Sequence, residues 1–532
     1  MFRSNVLMCL LLMGTLPAIA LEPNTWPQGT GPAANFAVSA SDVPLKWSVV
    51  RNQNIRWRKE LSETGQSTIV VWKDRLFFST LEDVAQDSEL GQNIIAYCCD
   101  AATGKTIWKR KIAADHPLRL SGCFSDSSAP PPVTDGKRVC FFNASGTIRC
   151  FDFEGRELWT QPLMAVARSQ PFLLNGNIVF TRQTYMPDAK GHFSHAHKDA
   201  PLSKWTQLHA LNLASGEAAW TSQCGVNMGC IPLPHRLPLG RDFQLGRDVI
   251  VVGRGGGHSP PENPEGVSMI DGKTGKTLWT LPLPGFMSTM TFSMHDGLVL
   301  VFHDDEHLWV DGQTGKVVKW ASIVDNIPLR VRLKGKYETM SMTLPSPKKK
   351  RSIIQSSNLL VGDFHYFRSY TQPYLGRVNV RTGHVEYLQL PVQLMRKAGD
   401  STDHLLWNAA DIPNQSRKAA KRQPAITQWS FRPNEMKNSR GFVVMGDKRS
   451  QGNGWGHHAS AVPTVVGDHL FVPTMSGTVY VIDHDAKVFD EKAVVAINDL
   501  GPIGQSWNRA SLSFSAGRIF AHTIREVICI GE

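Results

Sequence analysis

The sequence predicts an all-β fold, namely an eight-bladed β-propeller of four-stranded antiparallel blades. Three observations carry this prediction. A strand–turn–strand frame, cleanest in DGKTGKTLW at 271–279, recurs seven times along the chain. A second hairpin precedes most copies, as at 170–182, and the copies are spaced by about 50 residues. Two hairpins per repeat make a four-stranded sheet, which is the blade of a propeller.

Each part of the frame has a physical role. An apolar strand ends at a residue such as Asp100 or Asp271, whose carboxylate can accept backbone amides of the following turn. The turn glycine supplies the positive φ that a tight hairpin requires. An aromatic residue four positions after that glycine is expected to pack against the neighbouring sheet. The aromatic positions are Trp108, Trp159, Trp220, Trp279 and, in the sixth copy, Tyr387.

The two ends of the chain predict how the ring closes. Residues 510–532 contain three strands of a repeat without its last strand, and residues 54–61 form a last strand without the preceding ones. Pairing the two fragments completes an eighth blade and removes exposed sheet edges. Seven blades are the alternative, if the irregular region at 325–394 forms no blade of its own.

The N-terminus predicts export. Arg3 precedes an apolar stretch, and residues 18–20 have the small-x-small pattern of a signal peptidase site, so residues 1–20 are expected to be a signal peptide. An N-terminal extension is expected at 21–44 and the propeller at 45–532, with an insertion at 396–455 that begins with a short helix near 403–410. We therefore expect a soluble, monomeric, periplasmic or extracellular protein without a transmembrane segment.

The composition narrows the class of partner. Hydrophobic residues make up 42% and charged residues 19%, which excludes a disordered chain. The net charge of +11 favours anionic partners but is too modest to predict specific nucleic-acid binding. Basic residues cluster at 346–351 and 416–449.

The repeated frame resembles that of the quinoprotein-like (PQQ-like) β-propeller family, over residues 45–532. That family includes quinoprotein alcohol dehydrogenases and the scaffold propeller of the outer-membrane β-barrel assembly machinery. The resemblance to the dehydrogenases implies pyrroloquinoline quinone (PQQ) and Ca²⁺ on the propeller axis, with a catalytic Asp, a stacking Trp and often adjacent cysteines. No residue of this chain can be matched to that catalytic set, so no catalytic residue and no cofactor are predicted, with PQQ and Ca²⁺ kept as the alternative.

Cysteine positions favour packing over redox chemistry. Cys98, Cys150 and Cys529 occupy the same position in their repeats, two residues before the turn residue in the first two cases. This register predicts a small buried side chain rather than a disulfide between Cys98 and Cys99. Cys224 and Cys230, six residues apart near a glycine, are the pair expected to form a disulfide.

Histidines offer a possible metal site. His192, His195 and His197 can converge within one short loop, and imidazole groups at such spacing bind Zn²⁺ or Cu²⁺. The run His303, Asp304, Asp305 and His307 is a weaker candidate, because His303-Asp304 is expected to begin a turn.

Partner binding is expected first in the insertion, because long loops in compact folds are usually functional. The candidate partner-binding residues are Trp429, Phe431, Arg432, Trp455, His457 and His458. The leading hypothesis is a non-catalytic scaffold of the cell envelope that binds a protein or an anionic polymer through loops on one face. The alternatives are a PQQ- and Ca²⁺-dependent oxidoreductase and a metal-dependent hydrolase or lyase that uses the histidine clusters.

Overall fold

The described residues of the computed structural model form eight four-stranded antiparallel blades arranged as a propeller, which confirms the predicted ring. The structure describes residues 25–39, 42–62, 67–83, 90–91, 93–116, 118–119, 127–163, 165, 169–183, 205–227, 229–238, 246–255, 264–284, 291–344, 358–368, 373–407, 461–474, 476–502, 506 and 508–532. For each blade the innermost strand is given first; such strands contact each other between neighbouring blades, as Val70–Trp72 contacts Val133–Thr134.

The strands of the first four blades follow one another along the chain, apart from Leu90–Gly91 and Leu118–Arg119, which pair with each other in a separate two-stranded sheet. Blade 1 contains Val70–Trp72, Arg75–Leu81, Ile94–Asp100 and Thr106–Ile112. Blade 2 contains Val133–Thr134, Arg138–Asn143, Thr147–Asp152 and Glu157–Gln161. Blade 3 contains Phe172–Leu174, Asn177–Arg182, Gln207–Asn212 and Ala218–Thr221. Blade 4 contains Leu233–Leu237, Arg247–Arg254, Gly266–Asp271 and Thr277–Pro282.

The last four blades include the one that closes the ring. Blade 5 contains Ser293–His295, Leu298–His303, Glu306–Asp311 and Val317–Ser322. Blade 6 contains Leu359–Val361, Phe364–Arg368, Tyr374–Asn379 and Val385–Gln389. Blade 7 contains Thr464–Val466, His469–Pro473, Thr478–Asp483 and Val494–Asp499. Blade 8 contains Ser513–Ser515, Arg518–His522, Glu526–Ile530 and, from the N-terminal part of the chain, Ile55–Glu60.

Ring closure follows the prediction from the two chain ends. Ile55–Glu60 pairs antiparallel with Glu526–Ile530, with Trp57 opposite Cys529. The guanidinium of Arg58 donates two hydrogen bonds of 2.7 Å to the carboxylate of Glu526, across the same pair of strands. Strands that are 468 residues apart in sequence therefore share one blade.

The irregular region at 325–394 does form a blade, so the seven-bladed alternative is wrong. A hairpin of Ile327–Leu333 and Lys336–Met342 extends blade 6 outward, where its first strand pairs parallel with Val385–Gln389. A smaller hairpin joins Gln393–Met395 to His404–Leu406. The prediction of a short helix near 403–410 is therefore wrong for the part that the structure describes, because residues 404–406 pair as a strand. A 3₁₀ turn at Glu491–Ala493 is the helical element among the described residues.

The frame tryptophans join neighbouring blades. The indole N–H of Trp108 donates to the carbonyl of Phe153 at 2.8 Å, and that of Trp159 donates to Leu213 at 3.1 Å. Each ring also lies against the turn glycine of the next blade, so the frame glycine has a packing role besides its positive φ. Blade 5 departs from this pattern, because Lys319 occupies the aromatic position and donates to the carbonyl of Arg381 at 3.0 Å.

Replacing Gly216 with alanine is expected to lower the free energy of unfolding by about 1–3 kcal/mol more than the same change at Gly176. Both glycines have a positive φ, +74° and +76° respectively. A methyl group at Gly216 would lie 2.6 Å from the Trp159 ring, whereas at Gly176 nothing lies within 4 Å. Urea denaturation of both variants measures the difference, and equal losses would show that the tryptophan contact contributes nothing.

One disulfide is present among the described cysteines, and it joins Cys140 to Cys150 across two strands of blade 2. The expected role of Cys150 as a packing thiol is therefore wrong. The expected bond between Cys224 and Cys230 is also wrong, because both are buried thiols and the sulfur of Cys230 accepts a hydrogen bond from the Gly253 amide.

Candidate functional site in the axial channel

The N-terminal segment 25–38 lies along the channel-facing side of the ring. The innermost strand of a blade pairs with its second strand on one edge and presents its other edge to the axis. In blade 1 that free edge pairs antiparallel with Thr25–Trp26, and in blade 7 it pairs parallel with Ala37–Val38. The segment thus adds a short strand to the inner edge of two blades.

Further hydrogen bonds join the segment to neighbouring blades. The amide of Thr134 in blade 2 donates to the carbonyl of Pro27 at 2.9 Å. The amide of Leu173 in blade 3 donates to the side-chain oxygen of Gln28 at 2.7 Å. In blade 7 the amides of Val465 and Gly467 donate to the carbonyls of Phe36 and Val38, at 2.8 and 3.0 Å. Four blades therefore hold this segment through backbone or amide groups.

A tight turn reverses the segment after its first strand. The Gly31 amide donates to the Gln28 carbonyl at 3.0 Å, and the Gln28 side chain donates back to the Gly31 carbonyl at 3.0 Å. Gly31 has a φ of +83° and lies against the Trp26 ring, where a side chain would collide. Gly29 is equally confined, because a methyl group there would lie 2.4 Å from Pro131 and 2.5 Å from Gln170.

Two aromatic side chains anchor the segment. Trp26 is fully buried and makes an edge-to-face contact with Phe514 of blade 8, with ring centroids 5.8 Å apart. Phe36 is also fully buried, in an apolar cluster that includes Leu233, Leu359 and Val465 from the inner strands of blades 4, 6 and 7. Burial of aromatic rings of this size is a large stabilising contribution.

A pair of buried histidines, separate from the N-terminal segment, lies between blades 5 and 6. His307 and His365 are fully buried, and their ring nitrogens are 2.9 Å apart. The other nitrogen of His365 contacts the Asn358 side-chain oxygen at 3.0 Å. Burial lowers the pKa of His365 to about 3 and holds that of His307 well below its usual value, with the neighbouring His365 and Lys319 adding to the effect on His307. Both imidazoles are therefore neutral at physiological pH.

Comparison with known proteins agrees with this architecture. A PQQ-like family model described as outer membrane protein assembly factor BamB matches residues 91–223. This match supports a likeness of residues 91–223 to the PQQ-like β-propeller family. No curated protein sequence matches the chain.

Solved structures are similar to this propeller in fold. A europium-containing methanol dehydrogenase has a TM-score of 0.53 at 9% identity, over 95% of this chain and 91% of that one. The quinohemoprotein alcohol dehydrogenase from Comamonas testosteroni has a TM-score of 0.49 at 12% identity, over 96% and 80%. BamB from Moraxella catarrhalis has a TM-score of 0.43 at 11% identity, over 89% and 100%. At these identities only the fold is shared.

The site residues predicted from the sequence lie outside the described residues. These residues are His192, His195, His197, Trp429, Phe431, Arg432, Trp455, His457 and His458. They remain predictions. Within the described ranges no group of three or more His, Cys, Asp or Glu side chains is arranged to hold a metal ion. Nor does any helix in these ranges have the length and apolar content that crossing a bilayer requires.

His303 and His307 do not form a site together. Phe302 is opposite His307 and His303 is opposite Glu306 in the hairpin, so the two imidazoles point to opposite faces of the sheet. Asp304, with a φ of +49°, lies in the turn, as expected.

Cys98 and Cys99 are buried thiols rather than a disulfide, as expected from their register. Cys98 lies opposite Trp108 on the neighbouring strand, and Cys529 lies opposite Trp57 in the same way. Burial raises the pKa of both Cys98 and Cys529 to about 12, so neither is a thiolate at neutral pH.

Sequence reasoning missed three residues of these two features. They are Trp26 and Phe36 of the N-terminal segment and His365 of the histidine pair. A signal for the first two existed. Trp26 and Phe36 are the two aromatic residues in an otherwise small and polar stretch at 21–44, which is unusual for a solvated extension. His365 had no such signal, because its partner His307 is 58 residues away.

Proposed function

We propose that this PQQ-like propeller is an exported, non-catalytic binding scaffold of the cell envelope. The observation that supports it is the content of the axial channel. Trp26, Gln28, Thr30 and Phe36 enter it from the N-terminal segment, with exposed fractions between 0% and 3%. This supports a scaffold, because the resemblance to the dehydrogenases implies a cofactor on the same axis.

PQQ does not fit these axial residues. A planar quinone on the axis would need the space of the Gln28–Gly31 turn, and that turn is already packed against Pro131, Gln170 and Trp26. The inner edges of blades 1 and 7 are also paired with the segment rather than open to a ligand. We therefore derive no redox step through a quinone.

The scaffold role agrees with two further features. The matching family description names an outer-membrane assembly factor, which supports a scaffold role. The net charge of +11 favours an anionic surface or polymer as one partner, with the basic runs at 346–351 and 416–449 as the proposed contacts. The partner-binding residues proposed above lie in the second of these regions or next to it.

Reconstitution with PQQ and Ca²⁺ tests the proposal. We expect no reduction of an electron-accepting dye by alcohols above the rate of the same protein without quinone. We also expect no saturable quenching of tryptophan fluorescence by PQQ, because the segment 25–38 already covers the inner edges of blades 1 and 7. Turnover that requires both PQQ and Ca²⁺ would overturn the proposal and favour the oxidoreductase alternative.

A further inference from the structure

We propose that the axial channel is a polypeptide-binding site that the protein's own segment 25–38 occupies. This goes beyond a general scaffold role, because it names a site and a class of ligand. The ligand is a polypeptide segment that adds short strands to blades 1 and 7 and carries two aromatic anchors ten positions apart, as Trp26 and Phe36 are. This proposal about the axial channel holds whether or not the loops bind an envelope partner.

The backbone contacts are those of β-strand addition to an open sheet edge. Thr25 is opposite Trp72 and Trp26 is opposite Val71 in blade 1, and Ala37 is opposite Val465 in blade 7. In this mode of recognition the edge strand supplies affinity through main-chain hydrogen bonds, and pockets for individual side chains supply specificity. Between the two short strands, blades 2 and 3 add the amide donors Thr134 and Leu173.

Most of the segment is buried, and Trp26 and Phe36 are its two large side chains. Trp26 and Phe36 are completely buried by residues of the ring, whereas Ala33 and Asn35 between them are exposed. Buried aromatic anchors surrounded by weaker contacts are the usual energetic pattern of a polypeptide interface. The segment therefore combines two buried aromatic anchors with main-chain hydrogen bonds to strand edges, which are the features of a bound polypeptide.

The ring does not need the segment for its closure. Blade 8 is completed by Ile55–Glu60, which pairs with Glu526–Ile530 further along the chain. The segment is connected to this closing strand through residues 39–54, and its own contacts with blades 1, 2, 3 and 7 are noncovalent. Its release would leave all eight four-stranded blades intact.

Covalent attachment explains why a second peptide would not enter the intact protein. A short connection gives the attached segment an effective local concentration on the order of millimolar. A peptide added at micromolar concentration cannot compete with it. Cutting the connection removes this advantage and turns the occupant into an exchangeable ligand.

The test inserts a protease recognition sequence between Ser39 and Asp42 of the full chain and cuts the folded protein there. We expect the N-terminal fragment to co-elute with the ring in gel filtration. An excess of fluorescent synthetic peptide 21–39 should then replace it slowly. Peptides with Trp26→Ala or Phe36→Ala should bind about 30-fold more weakly or worse, while the exposed-site control Ala33→Ser binds like the parent.

Several results would overturn the proposal. In the first, the fragment is lost on cutting while the ring keeps its circular dichroism. In the second, the ring unfolds on cutting. In the third, all four peptides bind equally.

Hydrogen exchange on the uncut chain gives an independent measurement. Trp26→Ala should reduce protection at the amides of Thr134, Leu173 and Val465 but not in the closing strand Ile55–Glu60. A uniform loss of protection would instead identify the segment as ordinary core.

Discussion

Replacing Asp499 with alanine is expected to lower the free energy of unfolding by about 3–5 kcal/mol, because it leaves a largely buried arginine without its closest buried partner. The Asp499 carboxylate accepts a hydrogen bond from Arg396 at 3.1 Å and one from the Ser48 hydroxyl at 2.6 Å. It also accepts the Val50 amide at 3.0 Å. Only 4% of the Asp499 side chain and 9% of the Arg396 side chain are exposed. Asp499 therefore ties the last strand of blade 7 to the chain that leads into the ring-closing strand.

Asp403 provides a matched control, because its carboxylate contacts the same guanidinium at 2.7 Å but its side chain is 40% exposed. Hydrogen bonds from Arg396 lower the pKa of Asp403, so the group is ionised at neutral pH. Solvent-exposed ion pairs contribute about 1 kcal/mol or less, and Asp403→Ala should cost no more than that. Urea denaturation followed by tryptophan fluorescence measures both variants. Equal losses would mean that burial at Asp499 does not determine the strength of this network.

The blades could be predicted from sequence because their determinants are local. The apolar strand, the turn glycine and the following tryptophan lie within about ten residues of one another, so each hairpin is encoded by adjacent residues. Even the closing strand at 54–61 was recognisable, because it carries Trp57 in the frame position. Lys319 shows the limit of the pattern, because a lysine occupies the aromatic position there and donates to the Arg381 carbonyl. The indole N–H that blade 5 donates to the next blade comes instead from Trp309, which donates to the Val380 carbonyl at 2.9 Å.

The candidate sites were less predictable because they depend on contacts between distant parts of the chain. Trp26 meets Phe514 and Ala37 meets Val465, and no periodicity connects such positions. The expected pairing of Cys224 with Cys230 failed for a related reason. That prediction relied on the proximity of the two cysteines in sequence. Cys140 and Cys150 are partners instead because antiparallel strands place them directly opposite each other.

Acidification should destabilise the protein steeply between pH 6.5 and pH 4. Four buried histidines and the half-buried His235 have pKa values that desolvation lowers: about 4 for His209, His235 and His522, about 3 for His365, and well below the usual value for His307. In the unfolded chain each of them titrates near its ordinary value of about 6.5. Below that pH the unfolded state binds more protons than the folded state, so stability is complete above about pH 6.5 and decreases as the pH falls. At pH 5 the loss is on the order of 2 kcal/mol for each histidine.

The His307–His365 pair allows this origin to be separated from general acid effects. The double variant His307→Leu with His365→Leu replaces both imidazoles with apolar groups of similar volume that cannot be protonated. Its stability at pH 7.5 can change in either direction, but its loss between pH 7.5 and pH 5 should be smaller than that of the parent by about 4 kcal/mol. His384→Leu, at an exposed position, should leave the pH dependence unchanged. Because only the difference between the two pH values is compared, any packing change that is independent of pH cancels. An unchanged pH dependence in the double variant would mean that these two imidazoles do not resist protonation, despite their burial and the 2.9 Å contact between them.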